Sequence, residues 1–217
     1  MLGGGRNWTL PALVPVFAVA GAILLPGGQL PLIVFEPRYL SLVDDALGAG
    51  RLFGLVQPHD GAGGAVFGLH PVGTLARIVA FGETGDGRYL ITAAGVHRFR
   101  LAGEAEPRSG YRVVDADYAP FVGDRDDRPV TLKEHDRLLA LIRAHLGHLG
   151  LGTDFDALET LSHGELADRM AMACPFAPEE KQVLLEASTH AERCRLMIAM
   201  IQRELLADDG GGGTTMH

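Results

Sequence analysis

The stretch that decides the fold is residues 14–47, VPVFAVAGAILLPGGQLPLIVFEPRYLSLVDDAL. Its apolar residues are interrupted by prolines at positions 15, 26, 31 and 37. Because a proline inside a helix removes a hydrogen bond and clashes with the preceding turn, the first part predicts short extended segments joined by kinks. After Pro37, which suits the first position of a helix, apolar residues recur at helical spacing. The stretch therefore predicts extended segments followed by a helix.

Strand patterns continue outward from this stretch to about residue 120. Apolar and β-branched residues bounded by turn formers predict strands at 52–57, 72–80, 88–94, 96–101 and 111–118. The sequence Gly-Asp-Gly at 85–87 is typical of the turn of a β-hairpin. The first part of the chain is therefore predicted to be rich in strands, with one helix.

The pattern becomes helical after residues 123–129, GDRDDRP, which we interpret as a charged linker. An apolar stripe at helical spacing follows, formed by Leu138, Leu139, Ile142, Leu146 and Leu149. Ser162 with Glu165, and Thr189 with Glu192, have the spacing of capping boxes. We therefore predict a β-rich part at 1–122, a helical bundle at 123–208 and a disordered tail at 209–217.

The composition predicts a soluble globular protein, because 47% of the residues are apolar and 21% are charged. The net charge of −8 argues against nucleic acid as a partner unless arginines cluster locally. Arg98, Arg100 and Arg108 come nearest to such a cluster, and we interpret them as a solvated strand face. The apolar run 10–26 is too short for a bilayer and is broken by prolines, so we expect core strands and no membrane contact.

Two cysteines, Cys174 and Cys194, fall at apolar positions of predicted helices. We expect buried thiols, a reducing compartment and a cytoplasmic location. His145 and His148 have a spacing that metal ligands can use, and His135 lies on the same side, but no carboxylate completes a ligand set on that face. We interpret these histidines as core or surface residues. No catalytic residue, metal site or cofactor is expected.

Three separated segments resemble one family. They are LPGGQLPLIVFEPRY at 25–39, VGTLARIVAFGETGDGRYLITAAGVHRFRL at 72–101 and PFAPEEKQVLLEASTHAERCRLMIAMIQREL at 175–205. In this order they resemble the N-terminal substrate-binding domain of Lon proteases. The resemblance implies an α+β fold, in which a PUA-like pseudo-barrel precedes the helical bundle. It also implies the recognition of unfolded or tagged polypeptides, or of a partner protein. The sequence carries no signal for an oligomeric state.

The motor and peptidase modules of Lon proteases have no matching segment here. Their ATPase module needs a phosphate loop with a Gly-Lys pair, and the lysines of this chain, Lys133 and Lys181, do not follow glycine. No segment matches the catalytic serine and lysine of the peptidase. We therefore expect a stand-alone, non-catalytic polypeptide-binding module. One role expected for it is that of an adaptor in protein quality control.

The candidate binding residues are Phe35, Glu36, Arg38 and Tyr39. In a structural interpretation, Glu36 helps to cap the helix and the aromatic rings pack on the barrel. In a functional interpretation, Glu36 and Arg38 form the rim of an apolar groove, which we expect where the bundle meets the barrel. Two alternatives stay open. A contiguous basic surface would favour an RNA-binding PUA-like module, and a pocket in which histidines and carboxylates converge would favour an enzyme.

Overall fold

The computed structural model describes residues 10–59, 68–125 and 133–210. The strands in these ranges are β1 (Leu13–Ala18), β2 (Gln29–Val34), β3 (Leu52–Val56), β4 (Val72–Glu83), β5 (Tyr89–Arg108) and β6 (Tyr111–Asp117). The helices are α1 (Pro37–Gly48), α2 (His135–His148), α3 (Phe155–Glu159), α4 (His163–Ala173), α5 (Pro178–Glu186) and α6 (His190–Gly210), and a 3-10 segment covers Ala119–Arg125. This mixed architecture confirms the expected α+β fold class.

The strands form one sheet in the order β2-β5-β4-β3-β1-β6, and β6 also pairs with β5. This second pairing closes five strands into a ring, from which β2 extends as an additional strand. Strand β5 is long enough both to close the ring and to hold the additional strand. Its first residues pair with β2 and its last residues pair with β6. The interior is filled by apolar side chains that alternate along the strands, among them Val14, Leu75 and Phe99.

Strand β5 corrects one prediction, since we expected two strands at 88–94 and 96–101. The chain continues through Gly95, and the pairing with β4 shifts by one residue there, which is a β-bulge. Gly95 does not end the strand. It is needed because a Cβ at this position would lie 2.2 Å from the main-chain oxygen of Leu25. The predicted hairpin turn at 85–87 is confirmed, and Thr84 N–H donates to the Arg88 carbonyl at 2.9 Å beside it.

The helical region buries the stripe that the sequence predicted, with one exception. Leu138, Ile142 and Leu146 are buried and Leu139 is partly buried, whereas Leu149 is 44% exposed because it follows the last turn of α2. Helix α3 was not predicted, although Asp154 caps it by accepting from Ala157 N–H. The final helix continues to Gly210, past the start of the tail expected at 209, and residues 211–217 lie outside the described residues.

Two predicted helix starts, and the predicted burial of the cysteines, are found in the structure. Ser162 and Glu165 form the predicted capping box. The Thr189 hydroxyl accepts from Glu192 N–H at 3.1 Å, while the Glu192 carboxylate binds the neighbouring main chain. Cys174 and Cys194 are free and buried, and burial raises the pKa of the Cys174 thiol to about 11. None of the helices in the described ranges has the length and apolar character needed to cross a membrane.

Arg98 corrects a second prediction, because it is buried and does not belong to a solvated face. Its guanidinium pairs with Asp124, with Nη2 2.7 Å from Oδ1, and its main-chain N–H donates to the same carboxylate. Its Nη1 also donates to the carbonyls of Leu185 and Ala187, at 2.8 and 2.6 Å. Asp124, which we had placed in the charged linker, is therefore part of a buried ion pair between the barrel and the bundle.

A second buried arginine meets the same helix end. Arg193 on α6 donates to the carbonyls of Leu184 and Ala187 and pairs with Asp168 on α4 at 2.6 Å. The last carbonyls of a helix have no partner within it and carry partial negative charge. The two guanidinium groups at the end of α5 therefore donate hydrogen bonds to these carbonyls and offset their negative charge. We call Arg98, Asp124, Arg193 and Asp168 the arginine clamp.

Candidate functional site

The candidate residues lie where β2 ends and α1 begins. Phe35 directly follows the last residue of β2, Glu36 occupies the N-cap position and Pro37 opens the helix as predicted. Arg38 and Tyr39 complete the first turn. Strand residues point alternately to the two faces of a sheet, and the turn into the helix brings Tyr39 back over the barrel. The exposed fraction of Phe35 is 64%, while Tyr39 is buried.

Tyr39 holds the helix against the end of β1. Its ring stacks on Phe17, with 4.1 Å between the ring centroids and 21° between the planes. Its hydroxyl accepts from Ala18 N–H at 3.3 Å and donates to the Ala18 carbonyl at 3.4 Å. These main-chain groups belong to the last residue of a strand, so the tyrosine takes the place that a neighbouring strand would occupy. The expectation that the aromatic rings pack on the barrel is confirmed for Tyr39 and is wrong for Phe35, which is largely exposed.

Glu36 does not cap the helix with its side chain, which corrects the expectation. Its main-chain carbonyl accepts from the N–H groups of Tyr39 and Leu40 at 2.9 Å. The carboxylate instead pairs with Arg38, 2.7 Å from Nη2, because the opposite charge is only two residues away. The Arg38 guanidinium in turn lies 4.6 Å from the centroid of the Tyr39 ring. The two charges therefore neutralise each other at the surface above a buried aromatic ring.

An apolar groove of about 220 Å³ lies beside these residues. Its walls come from the end of β1, from the second half of β2 with the residues that follow it, and from α1, as the list Phe17, Ala18, Val19, Leu32, Ile33, Val34, Phe35, Glu36 and Tyr39 shows. Three candidate residues therefore share one groove, while Arg38 is not among the residues that line it and reaches the groove through its ion pair with Glu36.

The groove belongs to the barrel, not to its junction with the bundle as we expected. All its lining residues precede residue 40. At the junction, Gln57 Nε2 donates to the Pro178 carbonyl at 2.9 Å and the Gln182 side chain donates to the Val72 carbonyl at 3.1 Å. The sequence analysis missed the groove wall at residues 17–19. The sequence did contain a signal for this wall, because the apolar segment ends a strand beside the start of the predicted helix.

One wall of the groove is an open sheet edge. Strand β2 pairs with β5 and with no other strand of the described ranges. Gly95 N–H donates to the Gly28 carbonyl, and the antiparallel register continues from Gln29 opposite Ala94. Bonded pairs alternate in such a ladder, so Leu30, Leu32 and Val34 turn their main-chain groups toward β5. The main-chain groups of Gln29, Pro31 and Ile33 consequently point away from the sheet.

The open edge carries exposed apolar side chains. Ile33 is 58% exposed and lies opposite Leu90, which is 47% exposed. Phe35 continues the same row two residues later. Pro31 also lies on this edge, where the N–H that a proline lacks is not needed for pairing within the sheet. Because exposed edges are templates for a further strand, and Pro31 removes one donor, the stretch open to pairing is centred on Ile33.

The histidines considered as metal ligands do not come together. His145 is buried, with Nδ1 3.4 Å from a Glu204 carboxylate oxygen, whereas His148 is exposed at the end of α2. His135 stacks on His163 instead. Within the described residues, no group of three or more His, Cys, Asp or Glu side chains is placed to hold a metal ion.

The sheet, the helical region and the groove at a strand edge define a mixed α+β module. A family model described as the ATP-dependent protease La (LON) substrate-binding domain matches residues 13–203. The chain belongs to this family of Lon substrate-binding domains, as the three sequence segments indicated.

Relatives and solved structures agree with this assignment. The chain is 30% identical over 209 residues to Lon protease 2 of Sorangium cellulosum (strain So ce56), covering 88% of this chain and 25% of that protein. It is 27% identical over 204 residues to the Lon protease of Anaeromyxobacter dehalogenans (strain 2CP-C), covering 90% of this chain and 24% of that one. The chain thus spans about a quarter of the length of these relatives.

Two solved structures share the architecture. A Lon N-terminal domain protein from Xanthomonas campestris superposes with a TM-score of 0.61 at 26% identity, covering 90% of this chain and 97% of that chain. The N-terminal domain of the Lon protease of the Mycobacterium avium complex gives a TM-score of 0.65 at 20% identity, covering 88% and 98% of the two chains. The second likeness concerns the fold alone.

Proposed function

We propose that this chain is a non-catalytic module that binds unfolded or tagged polypeptides through the groove beside Tyr39. The observation that carries the proposal is the combination of an apolar groove with an open strand edge in its wall. Membership of a substrate-binding domain family supports the same class of ligand. Apolar contacts together with main-chain hydrogen bonds recognise an extended chain without a fixed catalytic geometry.

The open edge supports a specific mode of binding. An extended peptide lying beside β2 would exchange main-chain hydrogen bonds with Ile33 and donate one to the Pro31 carbonyl. Successive side chains of this peptide would point alternately to the two faces of the sheet. One set would contact the exposed row of Ile33 and Phe35, and the other would enter the groove toward Phe17. The paired charges of Glu36 and Arg38 would border the apolar surface.

The expected binding is weak and insensitive to salt. The peptide loses conformational entropy when it becomes ordered, so the dissociation constant should be on the order of micromolar or weaker. Apolar burial dominates over screened charges, so moderate salt should change it little. We further propose that the module works in the cytoplasm as an adaptor in protein quality control.

The two alternatives receive less support from the described residues. Burial of Arg98 removes one of the three arginines that came nearest to a basic patch, which argues against RNA. The residues that line the groove include one carboxylate, Glu36, and no histidine, which argues against acid–base catalysis there.

The test is the titration of a fluorescently labelled, permanently unfolded polypeptide into the whole chain. Phe35→Ala and Ile33→Ser remove exposed apolar contacts of the groove, and each should weaken binding by about tenfold, which corresponds to roughly 1.4 kcal/mol. Leu206→Ala is the matched control, because Leu206 is 71% exposed on α6, away from the groove. Arg38→Ala should have a smaller effect, since its ion pair is exposed.

Two outcomes would contradict the proposal. If Phe35→Ala and Ile33→Ser bind like the parent, the groove is not the binding site. If binding collapses steeply with salt and single-stranded RNA competes with the polypeptide, the RNA-binding alternative replaces it.

A further inference from the structure

Strand β2 leaves an alternating set of hydrogen-bonding groups open at the edge of the sheet. The side chains of Gln29, Pro31 and Ile33 are exposed, while those of Leu30 and Leu32 are partly buried. The main-chain groups alternate with the same period, and β5 uses those of the two leucines. Ile33 therefore offers both an N–H and a carbonyl at the edge, whereas Pro31 offers a carbonyl alone.

This pattern restricts the polypeptide that can lie beside β2. We take the antiparallel direction, because antiparallel pairing is more stable per residue than parallel pairing. The residue opposite Ile33 then exchanges two hydrogen bonds with it, and the residue opposite Pro31 donates one. The residue between them, opposite Leu32, turns its own N–H away from β2. Proline is consequently excluded at the first two positions, where an N–H is needed, and accepted at the position between them.

The groove receives the side chain of this middle residue. Residues directly opposite each other in a sheet point to the same face, and Leu32 points to the face where it lines the groove together with Phe17. The groove has a volume of about 220 Å³. Sites that bind whole small molecules are larger, at about 300–1,000 Å³. The groove therefore suits a single large apolar side chain.

The charges beside the groove favour an internal segment over a chain end. Glu36 is the charged residue among those that line the groove, and its carboxylate lies 2.7 Å from Arg38 Nη2. A terminal carboxylate or amine could use either charge only by breaking this pair. The outer face of the edge is apolar, because Ile33 is 58% and Leu90 is 47% exposed. Apolar residues on both sides of the middle residue would cover it.

We propose that the module selects internal, strand-forming segments in which one large apolar side chain enters the groove and the two adjacent residues donate their N–H groups to β2. The inference rests on the proposed function, since it specifies the ligand of the same groove. Helical segments are excluded because their N–H groups are already used within the helix. Proline-rich segments are excluded because they lack the N–H groups.

The first test uses an acetylated and amidated peptide, Lys-Thr-Val-Phe-Val-Thr-Lys, titrated into the isotope-labelled whole chain and followed by nuclear magnetic resonance. N-methylation of either valine removes an N–H that faces β2 and should weaken binding by about tenfold. N-methylation of the phenylalanine is the matched control and should change the affinity little. Replacing this phenylalanine by alanine should weaken binding by about tenfold or more, because the groove is left empty.

The second test changes the donors of the protein. Pro31→Val adds an N–H that can donate to the carbonyl of the opposite peptide residue, so binding should strengthen by about threefold to tenfold. Ile33→Pro removes a donor and should bind about tenfold more weakly than Ile33→Ala, which loses the same apolar contact but keeps the N–H. Neither N–H is needed for pairing with β5, so all three variants should fold, which their melting temperatures check.

Three results would overturn the inference. They are equal affinities for all the N-methylated peptides, a loss confined to the N-methylated phenylalanine, and a Pro31→Val variant that binds no more tightly than the parent. The proposed function is judged separately, because the effects of Phe35→Ala and Ile33→Ser on an unfolded polypeptide need no strand pairing. If those effects are also missing, the groove is not the binding site and both proposals are wrong.

Discussion

Individual residues determine how the groove is built, and Tyr39 contributes most to its structure. It joins two residues that are distant from it in sequence, because its ring stacks on Phe17 while its hydroxyl binds both main-chain groups of Ala18. The same residue lines the groove. Its structural and binding contributions therefore overlap, and a variant that removes the whole ring cannot separate them.

Tyr39→Phe isolates the hydroxyl. The variant keeps the stack on Phe17 but leaves two partly buried main-chain groups of Ala18 without this partner, so the free energy of unfolding should fall by roughly 1–2 kcal/mol. Tyr39→Ala also removes the ring and should cost about 3–5 kcal/mol. Denaturant unfolding at constant pH measures both. A loss for Tyr39→Phe as large as that for Tyr39→Ala would show that the ring stack contributes nothing.

At the scale of elements, the sequence predicted well whether a segment is a strand or a helix. It predicted less well where an element continues or ends. Strands and helices were found because hydrophobic period depends on local spacing, which a sequence displays directly. Strand β5 was divided in error at Gly95, because a glycine signals a break unless one knows that the Leu25 carbonyl lies 2.2 Å from the position of its missing Cβ. Helix α3 is only five residues long, too short to show a period.

The candidate site shows the same limit. Phe35, Glu36 and Tyr39 were found in one groove because they are neighbours in sequence. The other wall, formed by the end of β1, depends on strand order and register, which no local pattern specifies. Arg98 was placed at the surface for the same reason, since its partners Asp124 and Leu185 lie 26 and 87 residues away along the chain.

Helix α6 offers a test at the scale of one element. Thr189→Ala removes the hydroxyl that accepts from Glu192 N–H, so the free energy of unfolding should fall by about 1 kcal/mol. Ser188→Ala is the control, because Ser188 binds Glu192 through its main-chain N–H, which alanine retains. Thermal unfolding of the two variants in parallel measures the difference. Equal losses would mean that the Thr189 hydroxyl does not cap the helix.

At the scale of the whole molecule, the arginine clamp is one of the contacts that join the barrel to the helical bundle. Asp124→Asn leaves the buried Arg98 guanidinium without its charged partner, and breaking a buried pair in this way should cost about 3–5 kcal/mol. Replacing both residues, as in Arg98→Met with Asp124→Asn, should cost less than the sum of the two single changes, because no unpaired charge remains buried. A double-mutant cycle measured by calorimetry checks this. Additive losses would show that the two side chains are not coupled.

The clamp also bears on how such a module can be transplanted. A helical region grafted onto a foreign barrel would bring the Leu185 and Ala187 carbonyls without the guanidinium that satisfies them, and the donor barrel would retain an arginine with nothing to bind. Recombination near residue 122 would therefore succeed only when the strand carrying Arg98 travels with the helices. The barrel and the helical region are therefore expected to be exchangeable only as one unit.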